Sequence, residues 1–188
     1  MKTGWIIAIL VAAVVALLLF PVMVKNGLID KQENMIEAWS QIDTQLQRRA
    51  DLVPNLVATV KGYASHEEKI FLEVAEARSR LLAAGSPEAK AQASSFMSGA
   101  LGRLLAISEN YPQLKADSTF IRLQDELAGT ENRISVARTR YNNAVKIYNS
   151  AIRKFPGNLF APGMEMEKAE YYEPPSLESL QTPPEVKF

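Results

Sequence analysis

The 188-residue chain contains no cysteine and a single histidine, His66, and its charges cancel, with 21 basic and 21 acidic residues. Without cysteine there is no disulfide, no thiolate zinc site, no catalytic thiol and no lipid-modified cysteine. A carboxylate-bridged dimetal centre in a helical bundle draws on two Glu-x-x-His motifs, which one histidine does not supply. Without a basic excess, nothing suits the chain to neutralise a phosphate backbone, so nucleic acid is not an expected partner. There is no G-x-S-x-G elbow, and Gly99-Ala100-Leu101-Gly102 lacks the lysine and spacing of a phosphate loop. No internal repeat and no strand-period segment stands out. Catalytic, metal and cofactor residues are therefore expected to be none.

What is present begins with an apolar run. Residues Gly4 to Val24 carry no charged side chain, and a helix of that length spans about 30 Å, the thickness of a hydrocarbon core. Lys2 and Lys25 bracket it, and Trp5 occupies the place of an interfacial aromatic. Pro21 falls in the expected last turn. The run exceeds the apolar core of a signal peptide, and no A-x-A pattern precedes Lys25, so a retained anchor is the preferred reading. Lys25, Lys31, Arg48 and Arg49 follow the run, which tilts the soluble part toward the cytoplasm. Gly4, Ala8, Ala12 and Ala16 recur at every fourth position as a small-residue stripe, suited to close approach of two membrane helices. Chance is the favoured account of such a stripe, because alanine is common in membrane helices, and self-association of the anchor is the sharper hypothesis.

Beyond the anchor, apolar residues recur at spacings of three and four. A first helix is expected from about Leu28 to Gly62, with its seam at Met35, Trp39, Ile42, Leu46, Arg49 or Ala50, Val53, Leu56, Val60 and Tyr63. Pro54 predicts a kink or break near Asp51–Val53. Ser65 and Glu68 fit a capping box opening a second helix, from about His66 to Ala84, with Ile70, Val74, Ala77 and Leu81 on one face. The first two helices joined as one bent rod is the alternative. Gly85-Ser86-Pro87 opens a third helix to about Asn110, ended by Tyr111-Pro112. Asp117 or Ser118 starts a fourth, with its seam at Phe120, Leu123, Leu127, Thr130, Ile134, Ala137, Tyr141, Ala144, Tyr148, Ala151 and Phe155, stopped at Phe155-Pro156-Gly157.

The fold class expected is therefore all-α: one N-terminal transmembrane helix followed by an up-and-down antiparallel four-helix bundle with long first and last helices. The domains divide as anchor (residues 1–25), helical bundle (26–157) and a Pro-rich extended C-terminal tail (158–188), whose Phe160, Tyr171 and Tyr172 favour some docking on the bundle. Arg48, Arg49 and Asp51, with Glu131, Arg133 and Arg138, make a candidate ion-pair network that fixes register or binds a partner, with Asp51 expected to approach Arg133 or Arg138. A solvated face of weak helical pairs explains the same charges. Thr130 on an apolar seam resembles a register-setting position. Tyr141, Tyr148 and Phe155, seven apart, read as core.

Two long segments carry a family resemblance: AWSQIDTQLQRRADLVPNLVATVKGYASHE (Ala38 to Glu67) and YPQLKADSTFIRLQDELAGTENRISVARTRYNNAVKIYNSAIRKFPGNLFA (Tyr111 to Ala161). Together with the closing PEVKF (Pro184 to Phe188), they resemble the LemA family. The resemblance implies a bacterial cell (inner) membrane protein with a short N-terminal tail, one membrane helix and an up-and-down helical bundle, and no established catalytic activity. The expected partners are the lipid bilayer, a second copy of the chain in a homo-oligomer, and an unknown protein. Three functions compete. The first is a membrane-tethered scaffold or assembly protein. The second is a sensor or adaptor binding a signalling or envelope-stress partner, and the third is a ligand-binding module using space between helices.

Overall fold

In a computed structural model the described residues are 2–173, and among them no strand occurs. The chain forms α1 (Lys2–Lys61), α2 (Glu68–Ala83), α3 (Pro87–Ile107), α4 (Pro112–Lys115), α5 (Ser118–Arg153) and α6 (Gly157–Phe160). Single 3-10 turns at Ser108–Asn110 and Pro162–Met164 complete the helical elements.

The first helix departs from expectation. It is one uninterrupted helix of 60 residues, so the apolar run and the first seam share one rod. Neither Pro21 nor Pro54 ends it. A proline removes the bond from its own nitrogen to the carbonyl four residues earlier, which for Pro54 is Ala50. Arg78 of α2 donates from Nε to that carbonyl at 2.9 Å. The acceptor that Pro54 orphans is thus satisfied from a neighbouring helix, and the helix continues without a break.

The expected capping box is likewise absent. The α1–α2 joint spans Gly62–Glu67, and α2 begins at Glu68 with Glu67 at its cap position and no side-chain cap bond. Ala64 is buried and donates to the Val60 carbonyl at 2.9 Å, while Glu67 donates back to Ala64 at 3.3 Å. That turn uses the residues that Ser65 would have needed for helix geometry. The two helices are therefore separate rather than one bent rod, and His66 lies in the turn. The other two starts are as read: Ser86 Oγ accepts from Ala89 N at 3.1 Å, and Asp117 Oδ1 accepts from Phe120 N at 2.8 Å. The Phe120 amide, with help from the Tyr63 hydroxyl, holds the Asp117 carboxyl below its ordinary value.

The chain divides into two compact units. One combines α1 from Trp39 onward, α2, α3, α5 up to Tyr141, and the described residues from Glu170. Its core contains Ile42, Leu46, Leu56, Val60, Val74, Leu81, Met97, Leu104, Leu114 and Phe120, all essentially inaccessible. Each such side chain stabilises by about 1.5–3 kcal/mol relative to exposure. Within this unit α1 and α5 are antiparallel, since Tyr63 donates to Asp117 while Arg48 pairs with Glu126. Arg103–Glu73 at 3.0 Å joins α3 to α2, the Arg80 guanidinium lies 4.6 Å over the Phe96 ring, and Lys90 pairs with Asp43 of α1.

The second unit combines α1 up to Ala38 with residues 142–169. Leu28, Tyr148, Ile152 and Ala161 form its core, with Val24, Met35 and Phe160 packed around them. Val145, rather than Ala144, is the fully buried position here, and Phe155 is 75% exposed. α5 stops at Arg153, so the seven-residue phase that placed Phe155 on the seam no longer holds.

Candidate functional site

The sequence-predicted charges do not form one network. Arg49 turns inward from α1 and is buried, with Nη1 2.6 Å from Glu131 Oε2 on α5. Its Nε is buried with no hydrogen-bond partner among the described residues. Burial pulls the Arg49 guanidinium below its ordinary value, while the Glu131 and Tyr172 charges push it back. Arg48, one position earlier and so about 100° around the helix, pairs outside with Glu126 at 2.8 Å. Asp51, two positions from Arg49, faces α2: it accepts from Gln47 and lies 3.9 Å from Arg78 Nη2. Its partner is Arg78, in place of the Arg133 or Arg138 expected. Two positions turn a helix by about 200°, so Arg49 and Asp51 cannot both face α5.

The C-terminal segment completes the Arg49 site. Tyr172 is buried, and its ring lies 6.1 Å from that of Trp39, which in turn lies 5.3 Å from Tyr141. The Tyr141 hydroxyl donates to the Glu170 carbonyl at 2.9 Å. Ser94 of α3 hydrogen-bonds Tyr172 and lowers its pKa, as do the charges of Arg138 and Arg49, but burial dominates and raises it. Within the other unit, Asn149 clamps the same segment one residue earlier: its Nδ2 donates to the Ala169 carbonyl and its Oδ1 accepts from the Ala169 amide, both at 2.9 Å. Residues 169–172 are thus strapped down by side chains on α5, α1 and α3. The remainder of the tail, 174–188, lies outside the described residues.

Thr130 is buried in the seam, yet its hydroxyl donates to the Glu126 carbonyl of its own helix at 2.7 Å. It is satisfied without a partner helix. Arg133 lies on a different flank, where Gln41, Thr44 and Gln45 of α1 and Asn132, Arg133, Val136 and Arg140 of α5 line an open groove of about 630 Å³. The buried Gln45 Oε1 has no hydrogen-bond partner among the described residues. Gly4, Ala8, Ala12 and Ala16 are all exposed along α1. Among the described residues no three His, Asp or Glu side chains gather as metal ligands.

The model of the LemA family matches residues 38–188. The chain belongs to the LemA family. It is 27% identical to magnetosome protein MamQ 2 of Paramagnetospirillum magneticum, over 89% of this chain and 71% of that protein. Identity to magnetosome protein MamQ of Magnetospirillum gryphiswaldense is also 27%, over 88% and 71%. Protein LemA of Metamycoplasma hominis is 26% identical over 83% of this chain and 72% of that one. The matched range contains the whole Arg49–Glu131–Tyr172 site and the strap, while the apolar run precedes it.

Sequence reasoning missed Arg78 and Asn149, and a signal existed for each. A proline inside a helical seam orphans the carbonyl four residues earlier, which calls for a donor from a neighbouring helix. An asparagine beside Tyr148 at a buried helix position calls for partners on both ends of its amide.

Proposed function

We propose that this LemA family chain is a membrane-anchored, non-catalytic scaffold or assembly protein that self-associates. One observation carries the reading: α1 continues without interruption from an exposed segment, long and apolar enough to cross a membrane, into the packed helices. A continuous helix transmits position and rotation between membrane and domain, which a flexible linker would not. In this reading residues 1–25 are the anchor, 26–157 the helical domain and 158–188 the Pro-rich C-terminal tail, of which residues 169–172 are strapped to the helices. The domain is an up-and-down four-helix bundle of α1, α2, α3 and α5, supported by the ion pairs that join them. The stripe of Gly4, Ala8, Ala12 and Ala16 is the candidate association surface, and Arg49 with Glu131 sets register inside the bundle. The soluble part faces the cytoplasm of a bacterium by the distribution of lysine and arginine.

Native mass of the full chain in mild detergent, beside the Ala8→Leu/Ala12→Leu variant, tests the assembly. A defined oligomer reduced to monomer by the two leucines supports it. A monomeric wild type removes it. A sensor or adaptor role has its own support: Arg133 and Arg140 line an open groove with the exposed Val136, and neither arginine has a carboxylate at ion-pair distance among the described residues.

A further inference from the structure

The unit containing the apolar run also carries a basic groove. Lys31 on α1, Asn143, Lys146 and Ser150 on α5, and Lys154 in the turn just after α5 line an open space of about 670 Å³. Lys31 donates to the Gly27 carbonyl of its own helix. Among the described residues none of the three lysines has a carboxylate at ion-pair distance.

The position of this groove is fixed by packing. Val24, the last residue of the uncharged run, joins the cluster of Leu28, Ile152, Phe160 and Ala161. A Cβ built on Gly157 would stand 3.2 Å from Leu28 Cδ2, so the turn after α5 abuts α1 there. At 1.5 Å per residue, Leu28 lies about 6 Å and Lys31 about 10 Å beyond Val24 along the helix. The polar interfacial layer of a bilayer is roughly 5–8 Å deep on each face. Long lysine stems bridge the remaining distance. The same turn carries Phe155, 75% exposed, and Leu159, 64% exposed, on either side of Gly157. A solvated lysine surface alone does not call for two large apolar side chains beside it. A membrane interface accounts for both, because apolar groups enter the acyl boundary while cations meet the headgroups.

We propose that Lys31, Lys146 and Lys154 hold the phosphate of an anionic lipid in the bilayer that α1 enters, with Phe155 and Leu159 dipping into the interface beside it. This rests on the anchor reading above.

Two measurements on the full chain separate the claims. Flotation with phosphatidylcholine vesicles reads the anchor, and a chain that fails to float overturns both readings. Native mass spectrometry in detergent, with phosphatidylglycerol and phosphatidylcholine at equal concentration, reads the site. The expected phosphatidylglycerol adduct exceeds the phosphatidylcholine adduct at least about five-fold, and Lys146→Glu/Lys154→Glu brings the ratio to about one. Lys61→Glu, a charge reversal in the other unit, leaves the ratio unchanged. Excess inorganic phosphate does not displace the lipid. Equal adducts in the wild type, a preference that survives the double substitution, an equal loss with Lys61→Glu, or displacement by inorganic phosphate would each overturn the lipid site while leaving the anchor intact.

Discussion

At the residue scale, two positions concentrate the consequences of close packing. A Cβ on Gly157 would lie 2.1 Å from the Ala151 carbonyl oxygen, closer than any real contact, and that oxygen is backbone. Gly157→Ala must move the turn off α5, and overpacking of this kind costs about 1–3 kcal/mol. A lowered thermal midpoint with unchanged helix content by circular dichroism is the expected result, and an unchanged midpoint would show that the turn yields freely. Arg49 presents a different test. Glu131 is about half exposed while Arg49 is buried, so the two sides of the pair are unequal. Removing the carboxylate leaves a buried cation, whereas removing the cation leaves a carboxylate that water reaches. Glu131→Gln is expected to destabilise by roughly 1–2 kcal/mol, discounted for the exposed partner, and Arg49→Met by less. Urea midpoints of the two variants check the order, and the reverse order would mean that the arginine contributes chiefly through its own packing.

At the scale of elements, periodicity made most helices legible and proline misled. The seams at Ile42, Leu46, Val53, Leu56 and Val60, and at Phe120, Leu123, Leu127 and Ile134, are buried as their spacing requires. Spacing reports which face is apolar, but not whether a helix survives a missing bond, because the rescuing donor comes from another helix. Pro54 and Arg78 illustrate this. Replacing Arg78 by Met leaves the Ala50 carbonyl unmet and is expected to cost about 1 kcal/mol. In a Pro54→Ala background the helix supplies its own donor to that carbonyl, so the same substitution should cost measurably less. A double-mutant cycle by chemical denaturation reads the difference. Additive effects would mean that the arginine acts through Asp51 alone.

At the scale of the whole chain, the LemA resemblance and the family match agree, and the helical class was legible from heptad spacing alone. The site around Tyr172 was less so. An aromatic in a Pro-rich tail announces that it can dock, but the pocket of Trp39, Arg49, Ser94 and Tyr141 is gathered from three helices and has no local signature. Docking has a pH signature that free tail residues lack. Burial raises the pKa of Tyr172 and of Tyr141 above the ordinary value of 10.0, with Glu170 adding to the rise at Tyr141. A raised folded value means that the protonated form is favoured by folding. The stability it contributes is fully present below the ordinary value and is lost as pH rises through the folded values. The thermal midpoint should therefore hold from neutral pH to about 10 and fall beyond it. Tyr172→Phe, which keeps the ring against Trp39 and removes the titrating hydroxyl, should flatten part of that fall and delete one late-ionising phenolate from the absorbance titration. If Tyr172→Phe instead removes a phenolate that ionises in the ordinary range, with the alkaline melting curve unchanged, residues 169–172 are not held against the helices in solution.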